Sequence, residues 1–245
     1  MNVTEGPLLL DLGNTRLRVA DWEGPGRYGL VDELTLESQE NSDIQSSLAS
    51  RITSSGRDVF VSSTNPSFWE DVLSSFLSGA TVHLVDLDSL PCRVHSKGTG
   101  MDRLLAGHAA WRRCETSVLV ADVGTAWTLD ALGGGGEFLG GAIGPGLFIQ
   151  EQALAKACPH LGNSVRGDIE EEIPRETAVS LHAGTHLAMA CALEGLADRW
   201  EGMIGPFSNR FLSGGGAESI RKYLSKEWIC EQYLVLEGLA WLPRS

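Results

Sequence analysis

One pattern occurs twice in this chain and limits what it can fold into: an apolar run ending in aspartate, then any residue, then glycine, then a returning apolar stretch. The first copy runs Leu8-Leu9-Leu10-Asp11-Leu12-Gly13-Asn14-Thr15 and returns through residues 17–21. The second runs Val118-Leu119-Val120-Ala121-Asp122-Val123-Gly124-Thr125 and returns through residues 127–132. Short apolar runs punctuated by Gly and Asn are strands joined by tight turns, so each copy predicts a β-hairpin. Two such units point to two related α/β domains, residues 1–114 and 115–245, with a cleft between them into which each hairpin reaches.

Between the hairpins the spacing predicts a third strand over 28–36, a helix over 42–52, a strand over 58–62, a helix over 66–77 and a strand over 81–85. Residues 101–113 have helical periodicity, with Leu104, Leu105, His108 and Trp111 on one face. In the second half the expected elements are a strand over 137–141 and a helix over 145–157 opened by Pro145. A solvated acidic loop or helix entrance follows over 168–176, then a long helix over 177–200, a strand over 210–212, a glycine turn at 214–216, a helix over 218–224 and a terminal turn over 239–242.

Composition narrows the functional classes. Nineteen basic against 32 acidic side chains give a net charge of −13 over 245 residues, which argues against a nucleic-acid partner, because phosphate backbones are held by clustered Lys and Arg. A hydrophobic content of 42% supports a buried core, and no run of about 18 apolar residues suggests a membrane span. The five cysteines are scattered and none forms a C-x-x-C pair, so the expectation is free thiols in a reducing cytoplasm, with neither a disulfide framework nor a zinc site. His182 and His186 stand four apart on a predicted helix, but no third ligand accompanies them, and packing is the preferred reading.

The hairpins carry the chemistry. A glycine-containing turn lets backbone N–H groups approach phosphate oxygens, and a nearby carboxylate can hold Mg²⁺ directly or through water. Either hairpin alone is equally well an ordinary Asn/Gly turn. Two of them, one per domain, favour a nucleotide whose phosphates take donors from both. Gly140-Gly141-Ala142-Ile143-Gly144-Pro145-Gly146 reads as the wall of a substrate cleft, a dimer contact or a tight strand-to-helix junction. Gly214-Gly215-Gly216 suits an adenosine-side wall or a plain turn.

Six stretches in order then carry a resemblance: DLGNTRLR (residues 11–18), GMDR (100–103), DVGTAWTLD (122–130), GGAIGPG (140–146), TAVSLHAG (177–184) and LSGGGA (212–217). Together they resemble the type III pantothenate kinases of the acetate and sugar kinase/Hsp70/actin superfamily, which have actin-like, RNase H-like ATPase domains. The resemblance implies transfer of the ATP γ-phosphoryl group to the primary hydroxyl of pantothenate, the first step of coenzyme A synthesis. It implies ATP contacts at Asp11, Leu12, Gly13, Asn14, Thr15, Arg16, Leu17, Arg18 and Thr125, with Arg18 standing where the family usually has lysine. Pantothenate would lie on Gly100, Met101, Asp102, Arg103 and Thr177, with Asp102 as proton acceptor. Asp122 would hold a monovalent cation, K⁺ or NH₄⁺, and Asp11 would serve Mg²⁺. A homodimer without nucleic-acid or membrane partners is the implied assembly. The alternatives are a kinase of the same fold for another hydroxyl or carboxylate acceptor, and a nucleotide-binding regulator that has lost catalysis.

Overall fold

The computed structural model describes residues 6–36, 42–52, 56–70, 74–77, 79–161, 169 and 173–242. The chain divides into two compact units, Met1–Arg113 with Tyr233–Ser245, and Cys114–Gln232.

In the first unit, β1 (Leu8–Leu12) and β2 (Arg16–Gly24) form the expected antiparallel hairpin. The stretch expected as one strand over 28–36 is two short ones, β3 (Arg27–Tyr28) and β4 (Asp32–Thr35), both paired with β2. Helix α1 (Ser42–Arg51) leads to β5 (Asp58–Ser63), which lies parallel to β1. The helix expected over 66–77 appears as single turns, α2 (Pro66–Phe68) and α3 (Ser74–Phe76), while residues 71–73 fall outside the described residues. Strand β6 (Thr81–Leu84) extends the sheet parallel to β5, and α4 spans Met101–Cys114. All five residues of β1 are buried, as an apolar strand covered on both faces requires. Leu8, Leu10, Leu12, Val59 and Val61 pack with Ile44 and Leu48 of α1.

In the second unit, β7 (Val118–Val123), β8 (Ala126–Leu132) and β9 (Phe138–Pro145) form an antiparallel meander. Strand β9 runs four residues past its expected end, through the glycine-rich stretch. Helix α5 (Leu147–Ala157) therefore begins at Leu147, with Gly146 as its cap residue. The long helix over 177–200 is one helical path in three parts: α6 (Thr177–His182), a π-helical segment (Ala183–Leu187) and α7 (Ala188–Ile204). Thr185 Oγ1 bonds back to the Leu181 carbonyl at 3.0 Å, a side-chain capture that accompanies local loosening of the helical ladder. Strand β10 (Asn209–Ser213), helix α8 (Ala217–Arg221) and strand β11 (Ile229–Cys230) follow, with β10 parallel to both β7 and β11. Leu119, Ala121, Leu129 and Leu212 of this sheet pack on Met189, Leu193 and Ala197 of α7. Of the acidic stretch expected over 168–176, residues 168 and 170–172 lie outside the described residues, and 173–176 are non-helical chain leading into α6.

The two sheets share a connectivity. In the first unit, β4 pairs β2 and the path continues β2-β1-β5-β6; in the second the order is β9-β8-β7-β10-β11. Each has an antiparallel hairpin, a strand on its outer side, and two parallel strands on the other. The repeated Asp-x-Gly pattern is thus the mark of a repeated sheet.

The terminal segment is a helix, α9 (Leu234–Ala240), rather than a turn, and it belongs to the first unit rather than the second domain. It packs against β1, β2, β3 and β5. A Cβ on Gly238 would stand 2.4 Å from the Leu105 carbonyl oxygen, so only glycine lets α9 lie this close to α4. Arg113 of α4 grips the buried Glu237 carboxylate, with Nε 2.9 Å from Oε1, and Trp22 Nε1 donates to the Ala240 carbonyl at 2.8 Å. On α4, His108 is 3% exposed, and burial pushes its pKa down to about 4, so it is a neutral core imidazole.

Candidate active site

The residues expected to carry function in the first unit collect at the carboxyl ends of its parallel strands β1 and β5, where open α/β sheets bind their ligands. Asp11 is next to last in β1 and 5% exposed. Its register partners are Arg18 on β2 and Ser62 on β5. Arg18 Nη1 donates to Asp11 Oδ2 at 3.0 Å, and its Nε reaches Glu33 Oε1 at 3.3 Å. Arg18, expected at the phosphates, is therefore held by two carboxylates here. The turn itself projects outward: Asn14 and Arg16 are exposed, while Leu12 and Leu17 are fully buried. Those two leucines offer a ligand only their backbone. Gly13 N bonds the Arg16 carbonyl at 2.9 Å, and a Cβ at Gly13 would meet nothing closer than that oxygen at 3.4 Å. The internal packing does not demand glycine at this turn, and what its bareness provides is an open approach to the chain from outside.

Asp102 lies in the first turn of α4, preceded by Gly100. Its Oδ1 accepts the Arg103 N–H at 2.8 Å. A Cβ on Gly100 would stand 2.5 Å from that same oxygen and 3.7 Å from Thr64 Cγ2, so glycine makes the room in which the carboxylate sits. Thr64 N in turn donates to the Leu12 carbonyl at 2.9 Å. The Asp102 carboxylate, the end of β5 and the exit of β1 are thus one neighbourhood. Burial raises the Asp102 pKa above the usual carboxylate value, opposed by the Arg103 N–H and the Arg103 charge. A carboxylate so placed is a stronger base than one in water.

The second unit repeats the arrangement around Asp122, which is next to last in β7. Its register partners are Thr128 on β8 and Ser213 on β10, so the three side chains share a face. Thr128 Oγ1 is buried without a hydrogen-bond partner among the described residues, whereas Ser213 Oγ donates to the Gln232 carbonyl at 3.3 Å. A carboxylate beside an unpaired hydroxyl oxygen is a donor set that suits a hard cation. The turn at Gly124 and Thr125 is exposed, and glycines shape it from behind. A Cβ on Gly146 would stand 2.1 Å from the Gly124 carbonyl oxygen, and one on Gly214, whose φ is +91°, 2.6 Å from Val123 N. Gly144, Gly146, Gly214 and Gly216 therefore serve close packing around the second hairpin, whereas a Cβ on Gly140 would meet nothing within 4 Å. Thr177 opens α6 and is exposed.

Ser62, Thr64, Thr128 and Ser213 escape a reading along the sequence, because strand register places them. The one trace is a hydroxyl residue closing an apolar strand, as in Val59-Phe60-Val61-Ser62. His182 and His186 stack with ring centroids 4.0 Å apart, and His182 Nε2 meets Tyr223 Oη at 2.8 Å. Burial takes the His186 pKa down to about 4. Among the described residues no three His, Cys, Asp or Glu side chains gather as a metal cage.

A family model described as "Type III pantothenate kinase" matches residues 7–199. A type III pantothenate kinase from Nitrosomonas eutropha is 31% identical over 100% of this chain and 97% of its own length. Among solved structures, a Campylobacter jejuni protein described as a Baf family transcriptional activator superposes with a TM-score of 0.65 at 19% identity, covering 95% of this chain and 94% of that one. A ROK family glucokinase from Streptomyces griseus superposes with a TM-score of 0.51 at 12% identity, covering 96% and 97%. These two likenesses concern the fold, an α/β architecture with two mixed sheets of the actin-like ATPase kind.

Proposed function

Because the chain belongs to the type III pantothenate kinase family, we propose that Asp102 is the base of its reaction and that the two glycine hairpins hold the nucleotide. The activity itself follows from the family: the protein is an ATP-dependent kinase that phosphorylates pantothenate in coenzyme A biosynthesis. The observation that carries the site assignment is the pocketed Asp102 carboxylate, given room by Gly100 beside the end of the first phosphate hairpin.

In this reading Asp102 accepts the proton of the pantothenate primary hydroxyl as the hydroxyl oxygen attacks the γ-phosphorus, and ADP leaves. Phosphoryl transfer needs positioning and charge neutralisation more than covalent help. Gly100, Met101, Arg103 and Thr177 orient pantothenate, with the Arg103 guanidinium as the group that would meet its carboxylate. The backbone of residues 11–18 and the exposed Thr125 turn receive the phosphates. Mg²⁺ keeps most of its ligands from water and phosphate, so the single carboxylate of Asp11 fits it, and it would neutralise charge on the transferring group. Asp122 with Thr128 is the set that would hold K⁺ or NH₄⁺.

Release of ADP is expected to require pantothenate and to rise severalfold when K⁺ or NH₄⁺ replaces tetramethylammonium, the order of a lost one- to two-contact interaction. Asp122→Ala should remove that stimulation. Equal rates in all three salts would refute the cation assignment.

A homodimer belongs to the same proposal. Helix α5 buries none of its residues, leaving Phe148 66% and Leu154 38% exposed. It follows β9, the last strand of its sheet, on which Ile143 is 63% exposed. Such a patch is what a self-complementary interface covers. Sedimentation at micromolar concentration should show a dimer that Phe148→Glu dissociates, and a wild-type monomer would contradict it. A cytoplasmic location suits the five free thiols; among the described residues no helix is long and apolar enough to cross a membrane.

A further inference from the structure

Ser62 is fully buried, and among the described residues its hydroxyl has no hydrogen-bond partner. Buried polar groups are nearly always paired, so an unpaired one calls for an explanation. Its position supplies one. Ser62 is the β5 register partner of Asp11, as Arg18 is the β2 partner, so the Asp11 carboxylate stands between a guanidinium and a hydroxyl on one face of the sheet. The guanidinium is bonded to it at 3.0 Å, and the hydroxyl is idle. The equivalent serine of the repeated sheet, Ser213 beside Asp122, is not idle: it donates to the Gln232 carbonyl. Of the two serines at equivalent positions only Ser62 is unpaired, so its place beside the strand-end aspartate does not by itself account for it.

We propose that Ser62 is a positioning residue for the magnesium nucleotide: when the phosphates draw Arg18 away from Asp11, the Ser62 hydroxyl donates to the Asp11 carboxylate and fixes it toward the metal. The inference rests on the assignment of the first hairpin to the phosphates. Without Ser62, a carboxylate released by Arg18 would lose its anchor on the sheet at the moment it must face a hydrated cation, and ligand carboxylates depend on such supporting hydrogen bonds. In the free protein the same hydroxyl is an unsatisfied burden, so its deletion should stabilise the fold or leave it unchanged.

The test is Ser62→Ala, with calorimetric titration of a non-hydrolysable ATP analogue in Mg²⁺ and in EDTA, and thermal unfolding of the ligand-free protein. The expected results are a dissociation constant raised about three- to tenfold in Mg²⁺, an unchanged one in EDTA, and a midpoint equal to or above wild type. Unchanged affinity in Mg²⁺, an equal loss in EDTA, or a lowered midpoint each overturns the proposal, the last by making Ser62 structural. Asn14→Ala, on the exposed turn, separates the two layers. If it weakens nucleotide binding while Ser62→Ala does not, the hairpin assignment stands and the Ser62 role falls. If neither variant has an effect, both fall.

Discussion

Gly146→Ala is expected to lower the thermal midpoint and to weaken nucleotide binding together. The added methyl would stand 2.1 Å from the Gly124 carbonyl oxygen and 2.5 Å from that of Thr125, and neither is the end of a flexible side chain that can swing aside. The backbone of the second hairpin must move, breaking or lengthening the 3.0 Å bond from Gly146 N to Thr125 O. Overpacking of this kind costs about 1–3 kcal/mol, and in a chain of this size each kcal/mol is worth roughly 2–4 °C. The turn that moves is the one assigned to the phosphates, and small misplacements of a binding group can reduce activity roughly tenfold or more. Gly195→Ala is the control: nothing lies within 4 Å of its added carbon, inside α7, so helix propensity alone predicts a gain of about 0.5–1 kcal/mol. If Gly146→Ala matched wild type in both measurements, the packing account of the glycine-rich stretch would be wrong.

That stretch also shows where a linear reading stops. The strand was expected to end at Gly141, yet residues 142–145 continue β9 because the ladder to β8 supplies their hydrogen bonds, and Gly144 lies under the Trp127 ring, where a Cβ would come within 2.4 Å. Helix α9 was illegible for the opposite reason. All seven of its residues are buried, so the Leu234-Val235-Leu236-Glu237-Gly238 run has no polar face to betray a helical period. The hairpins, β5 and α4 were legible, since an apolar run stopped by Asp-x-Gly and a one-sided helix are each local signals. The same holds for the site. Asp11, Asp102 and Asp122 sit in motifs, whereas Ser62 and Thr128 acquire meaning only as register neighbours of Asp11 and Asp122.

Asp102→Asn is expected to abolish turnover while leaving the fold intact. Loss of a positioned general base removes about 10²–10⁴ in rate, whereas Asn keeps the shape and an oxygen for the Arg103 N–H that Asp102 Oδ1 accepts at 2.8 Å. Burial holds the Asp102 pKa above its ordinary value of 3.8, which fixes the sign of two effects. A group with a raised folded-state pKa favours the fold below its unfolded value, and that contribution is lost as pH rises through the folded one. At neutral pH the ionised Asp102 is therefore a liability, and the neutral Asn variant should unfold at an equal or higher temperature. Catalysis needs the opposite form, so wild-type turnover should fall on acidification along a limb lying above the ordinary carboxylate value. A limb at or below that value would deny the buried carboxylate its role.

The most direct test compares Asp102→Asn with wild type for pantothenate-dependent ADP release, with ATP binding measured on the same samples. The structure predicts that the variant binds ATP like wild type and releases ADP no faster than the pantothenate-free background. Wild-type turnover by the variant would contradict the assignment of Asp102 as the base.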